Sequence, residues 1–229
     1  MDWITAHTQI LFYLLLIIAL MLTRIPVLGK YFRCVNTLVH ESGHAFMTLA
    51  LSGEVISVNI FSDTSGTTVT KAKGKLSQAL ISLAGYPASA LTGWLCLFLL
   101  ARGHYQYIVL GLTSISLIMM ILSLRNWYGL FWAGTFVVIN LLLLYFNNPA
   151  IIFVFATFYT LIIFADAIIS SIVLMALSIK QPKKAGDATN LNKATKLPAV
   201  FWALILLVFT LFLSWQSVIN YFPPIKSLI

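Results

Sequence analysis

Residues 105–179 carry two formal charges, Arg125 and Asp166, and the rest of that stretch is apolar or uncharged. Lipid offers no partners to backbone N–H and C=O groups, so a chain this apolar must satisfy them within its own helices. About 20 apolar residues cross the hydrocarbon layer as a helix. Stretches of that order recur at 8–28, 76–101, 105–124, 128–145, 151–179 and 198–221. With a more polar helix at 35–52, they predict an all-α polytopic membrane protein, one domain over 1–229, as a bundle of six or seven transmembrane helices. The composition agrees: 60% of residues are hydrophobic and 9% charged, where soluble domains have about 45–50% and 25%.

The formal net charge of +8 does not imply nucleic acid, because the 14 Lys and Arg residues sit in short connections between apolar segments rather than on one amphipathic face. They read as topology signals facing a lipid bilayer. With a cytoplasmic N-terminus and seven crossings, Lys71, Lys73, Lys75, Arg125 and the five lysines of 180–196 fall on the cytoplasmic side. Arg24, Lys30, Arg33, Arg102 and Lys226 fall opposite, so the bias favours that orientation, although the cluster from Arg24 to Arg33 opposes it. No basic residue precedes the first apolar run and no small-residue cleavage site follows it, so the run reads as a retained anchor. Cys34 and Cys96 lack the spacing of a disulfide framework or a cysteine metal site and are expected as buried thiols.

Two segments depart from the apolar pattern. At 54–70, partial alternation through Val55, Val58 and Ile60, the breaker cluster from Ser62 to Gly66, and the run from Thr67 to Thr70 predict a short β-hairpin after helix 35–52. Its unpaired edge is a liability in lipid and a docking strip for an extended peptide. At 180–196, five lysines with Gly186, Asp187 and several Asn and Thr residues predict a mobile polar loop.

Helix 35–52 holds Asn36, Thr37, His40, Glu41, Ser42, His44 and Thr48, too much polarity to face lipid on all sides. Within it lies His40-Glu41-Ser42-Gly43-His44. Residues four apart stack on one helix face, so two imidazoles can reach one ion with a glutamate beside them. Chance placement of four histidines and two glutamates predicts about 0.0006 such motifs. Sites of this type bind Zn2+ through both histidines and a third protein ligand, leaving a fourth position for water, with the glutamate as general base. The bland alternative is a hydrogen-bond cluster between helices.

The third ligand must come from elsewhere, and only six residues are acidic. Asp2, Glu54, Asp63 and Asp187 lie in termini or loops, whereas Asp166 sits inside a span, where an unpaired carboxylate is costly unless an ion compensates it. Asp166 is therefore the expected ligand and Asp187 the alternative. His7 and His104 lie near span ends and read as interfacial. Asn140, a single amide in an apolar span, is a candidate for holding a substrate carbonyl, or equally a hydrogen bond to a neighbouring helix. The Arg125-Asn126 pair could line the cavity or mark a span end.

The run from Leu38 to Ala45, the Ser65-Gly66-Thr67 turn, Ala84-Gly85-Tyr86-Pro87, Arg125-Asn126, Gly186-Asp187-Ala188 and the stretch from Leu197 to Trp202 together resemble the site-2 protease family of membrane-embedded zinc metalloproteases. The likeness is to its small branch without an inserted peptide-binding domain. The resemblance implies a bundle around a buried zinc reached by water from the cytosolic side, one Zn2+ per chain held by His40 and His44, Glu41 as base, and a hairpin that guides an unwound substrate. The family's usual aspartate motif for the third ligand is missing: Asn147-Asn148-Pro149-Ala150 lacks the aspartate, and Gly85-Tyr86-Pro87 only partly echoes another family signature.

The function expected is intramembrane zinc proteolysis of a membrane-protein or peptide substrate, in a small, loop-poor chain suited to a bacterial inner membrane. Two alternatives make different demands on the sequence. A non-proteolytic protein keeping a metal site for structure, sensing or partner binding has no need of a base between its histidines. A transporter predicts an internal repeat or paired half-helices, which the sequence lacks.

Overall fold

The computed structural model describes residues 2–23 and 25–224, with side chains from residue 8 onward. Arg24 and Lys226 of the charge argument, and the side chain of His7, lie outside the described residues. The polar helix is α2, Leu28–Ala50, which begins earlier than its sequence pattern indicates because α1, Asp2–Leu22, ends before Pro26 and the next helix starts at once. Leu28 thus belongs to α2, not to the first apolar span.

The hairpin follows as β1, Glu54–Ile60, and β2, Gly66–Lys71, paired antiparallel from Glu54↔Lys71 to Ile60↔Gly66, with a bulge between Val55 and Ser57. Then come α3, Lys75–Ala101; α4, Tyr105–Leu122; α5, Trp127–Phe146; and α6, Pro149–Lys180. Asn148 accepts from the N–H groups of Ala150 and Ile151, and Pro149 occupies a position where no N–H is needed, which fixes the start of α6. At 32 residues, α6 is about 48 Å long, more than a bilayer core requires. A short 3-10 turn at Pro182–Lys184, α7 at Gly186–Thr195 and α8 at Ala199–Tyr221 complete the chain.

Among the described residues, α3, α4, α5, α6 and α8 are long and apolar enough to cross a membrane; α1 has an apolar stretch of only Thr8–Leu22, and α2 is too polar. Among the described residues the bundle thus offers five spanning helices by length and composition, and α1 and α2 are the elements on which a count of six or seven depends. The main core joins Phe12, Leu38, Trp132, Phe136, Tyr159 and Ile162 of α1, α2, α5 and α6.

The predicted mobile loop is largely helix. Ala185, Ala188 and Leu191 recur at every third position and bury a narrow apolar edge against Leu174, Ala199, Ala203 and Leu206. Thr189 donates to the Pro182 carbonyl at 2.7 Å and Trp202 Nε1 to Thr195 Oγ1 at 2.9 Å, tying α7 to both flanks. Alanines carry this edge, so a composition dominated by Lys, Asn and Thr conceals it.

The outer edge of β1 is closed by the connection between α4 and α5. Val58 N–H donates to the Ser123 carbonyl at 2.7 Å, Arg125 N–H donates to the Val58 carbonyl at 3.0 Å, and the Asn126 amide bridges both backbone groups of Ile60 at 3.1 and 2.6 Å. Arg125 caps the carbonyls of Leu122 and Leu124. The Arg125-Asn126 pair thus anchors the hairpin and does not line the cavity. Asn126→Ala leaves two backbone groups of a fully buried residue unpaired and is expected to destabilise the protein by about 1–3 kcal/mol, measured as a lowered Tm in detergent.

Candidate metal centre

One turn apart on α2, His40 and His44 bring their Nε2 atoms within 3.1 Å. His44 Nδ1 lies 2.6 Å from the Ile81 carbonyl of α3 and donates its N–H there, which fixes the ring and turns Nε2 towards His40 and Asp187. Asp187, in the first turn of α7, places Oδ2 3.2 Å from both Nε2 atoms. Burial opposes its ionisation, but the imidazoles of His44 and His40 outweigh it and hold the Asp187 carboxyl well below the usual carboxylate range.

The three side chains form a group able to hold a metal ion. A tetrahedral ion with bonds of about 2.0–2.1 Å needs donor atoms about 3.3 Å apart, and the separations here are 3.1 and 3.2 Å. In its neutral form the His44 ring, with Nδ1–H held by Ile81, presents an Nε2 lone pair that a cation between it and the carboxylate would match. Space is reserved as well: a Cβ on Gly85 would lie 2.5 Å from His44 Nε2 and 2.6 Å from His40 Nε2. The Tyr86 ring meets His40 edge to face, with centroids 4.7 Å apart.

Glu41 is 5% exposed and faces the hairpin. Thr68 Oγ1 of β2 donates to its Oε2 at 2.5 Å, and a Cβ on Gly66 would lie 2.5 Å from Oε1, so β2 passes directly over the carboxylate. All these groups line one cavity of about 440 Å3, walled by α2, β2, α3, α6 and α7.

Asp166 is not brought to the histidines. It is 5% exposed as the burial argument required, but its Oδ1 accepts from Arg33 Nε at 2.7 Å and its Oδ2 from Asn36 Nδ2 at 3.3 Å. An arginine, not a metal, compensates the charge, and the carboxylate beside the histidines is Asp187. Asn140 is also elsewhere: fully buried, it accepts from the Tyr159 hydroxyl at 3.1 Å between α5 and α6, the helix-to-helix bond that was its alternative reading. His104 is exposed at the position preceding α4 and makes no side-chain capping bond there. Thr68 and Tyr86 were missed as site residues; the only signals were the threonine-rich second strand and the position of Tyr86 next to Gly85.

A family model described as Peptidase M50B-like matches residues 13–217, and the chain belongs to that family, within the site-2 protease metallopeptidases. No curated protein and no solved structure matches it. With its apolar helices, this makes the chain an integral membrane protein of a metallopeptidase family.

The two carboxylates are separable by elemental analysis of purified protein. The unaltered protein is expected to bind about one zinc per chain, His44→Ala and Asp187→Ala are expected to lose it, and Asp166→Asn is expected to retain it. Gly85→Ala should lower zinc content with the helical circular dichroism unchanged.

Proposed function

We propose that this protein is a zinc endopeptidase that hydrolyses a peptide bond in or near a transmembrane segment of a membrane-protein substrate. The observation that carries the reading is the convergence of His40, His44 and Asp187 on one point, with Glu41 beside them under a strand, in a cavity within an apolar bundle. Two imidazoles and one carboxylate are a donor set of catalytic zinc sites, whose fourth position stays open. The bound ion supplies Lewis-acid chemistry, acidifying a water and polarising a carbonyl.

The chain's own residues supply the rest. Thr68 occupies Oε2 of Glu41 and leaves Oε1 to take a proton from the attacking water. As the water oxygen bonds to the carbonyl carbon and the C–N bond breaks, that proton passes from Glu41 to the leaving nitrogen. His44 is held in orientation by Ile81, and His40 is packed by Tyr86.

A substrate helix has every carbonyl bonded internally and must be unwound before attack. The strand β2 offers an edge for the unwound segment: among the described residues it pairs only with β1, whose other edge is closed, and Gly66, Thr67, Thr68 and Thr70 line the cavity. We assign the hairpin and the lysine-bearing segment to the cytoplasmic side, on the charge bias, and the protein to a bacterial inner membrane, on its short loops.

Glu41→Gln keeps the metal donors and removes the base. It is expected to bind zinc as the unaltered protein does and to cut a transmembrane-segment substrate about 10²–10⁴-fold more slowly. Undiminished cleavage in reconstituted vesicles would rule out the role given to Glu41.

A further inference from the structure

Besides the metal donors and Glu41, the cavity wall carries a second polar group that the proposed chemistry does not use. Arg33 and Asp166 face each other across α2 and α6, with side chains 32% and 7% exposed, and both line the cavity. Arg33, Thr37 and Glu41 lie at successive turns of one face of α2. Thr37 Oγ1 donates to the Thr64 carbonyl at 2.8 Å, so the hairpin tip is fastened over this end of the helix. A segment laid along β2 beyond Gly66 and Thr64 therefore passes towards Arg33.

A guanidinium has five N–H donors. Among the described residues, Arg33 uses Nε alone, on Asp166 Oδ1 at 2.7 Å. The buried carboxylate fixes the fork from behind, while the Nη1 and Nη2 donors have no acceptor among the described residues and the side chain is part-exposed on the cavity wall. In a bundle this apolar, such donors are matched by whatever fills the cavity. An incoming anion fits poorly: Asp166 already neutralises the arginine, and Glu41 and Asp187 line the same space. Neutral oxygen acceptors fit, and an unwound peptide presents one per residue.

We propose that Arg33, oriented by Asp166, is a substrate-positioning residue whose Nη groups donate to main-chain carbonyl oxygens of the unwound segment, outside the cleaved bond. This rests on the metallopeptidase reading. Eight residues of helix separate Arg33 from Glu41, about 12 Å, which places the carbonyls about three to four extended residues from the bond cut.

The test uses full-length Glu41→Gln protein in detergent and a fluorescent, uncharged Leu/Ala peptide of about 20 residues with a central Gly-Gly break. Exchanging the pair together, Arg33→Gln with Asp166→Asn, leaves no unpaired charge. It should weaken peptide binding about tenfold or more with zinc content unchanged, and Arg33→Lys, which keeps the charge but loses the fork, should fall between.

Carbonyl oxygens of the peptide are then replaced by sulfur one at a time. One replacement about three to four residues from the break should weaken binding to the Glu41→Gln protein and cost nothing further in the exchanged one. The proposal is overturned by absent or unaltered peptide binding, by equal sulfur effects in both proteins, or by a Glu-bearing peptide that binds more tightly only when Arg33 is present. Zinc content and cleavage by the unaltered protein are read separately. A protein that binds zinc and cuts but ignores Arg33 loses only this inference, and one that binds the peptide through Arg33 without zinc or cleavage loses only the metallopeptidase reading.

Discussion

Polar groups on a helix inside an apolar bundle must find their partners within the protein, because lipid supplies none. Helix α2 concentrates that requirement, and the neighbouring elements answer it turn by turn. Asp166 of α6 takes Arg33 and Asn36, the hairpin takes Thr37 and Glu41, the Ile81 carbonyl of α3 takes His44, and Asp187 of α7 meets both imidazoles. The site is where these compensations converge.

Charge accounting then separates the two aspartates of the cavity wall. Asp166 is satisfied by a guanidinium and an amide, so its charge is accounted for without an ion. Asp187 faces two imidazoles, one of them fixed in orientation by the bond from its other nitrogen to a carbonyl. Only the second arrangement is a donor set able to hold a metal ion. Gly85 keeps the space by bringing α3 against both Nε2 atoms, where any Cβ would intrude.

The hairpin couples this centre to whatever enters the cavity. Its β1 edge is closed by the 123–126 connection, which prevents the exposed edge that a lone hairpin would otherwise leave on that side. The β2 strand is left over the cavity, with Thr68 on the glutamate and the tip fastened by Thr37. Strand edge, Glu41 and the His40, His44 and Asp187 group consequently share one frame built from α2 outward.

Much of this was legible in the chain. Apolar length gave the helical bundle, alternation and a breaker cluster gave the hairpin, and the spacing of His40, Glu41 and His44 gave the heart of the site, because all three depend on local periodicity. Compensation over long range was not legible. A buried carboxylate in an apolar span needs a partner, and the sequence alone could not say whether that partner is a metal or an arginine 133 positions away. Nor could it show that alanines spaced three apart fold a lysine-rich stretch into α7 and carry Asp187 to a histidine 147 positions earlier. Local pattern determined the elements and two candidate metal donors; tertiary packing decided the third candidate, because the energy that selects it comes from burial and charge contacts between segments far apart in the chain.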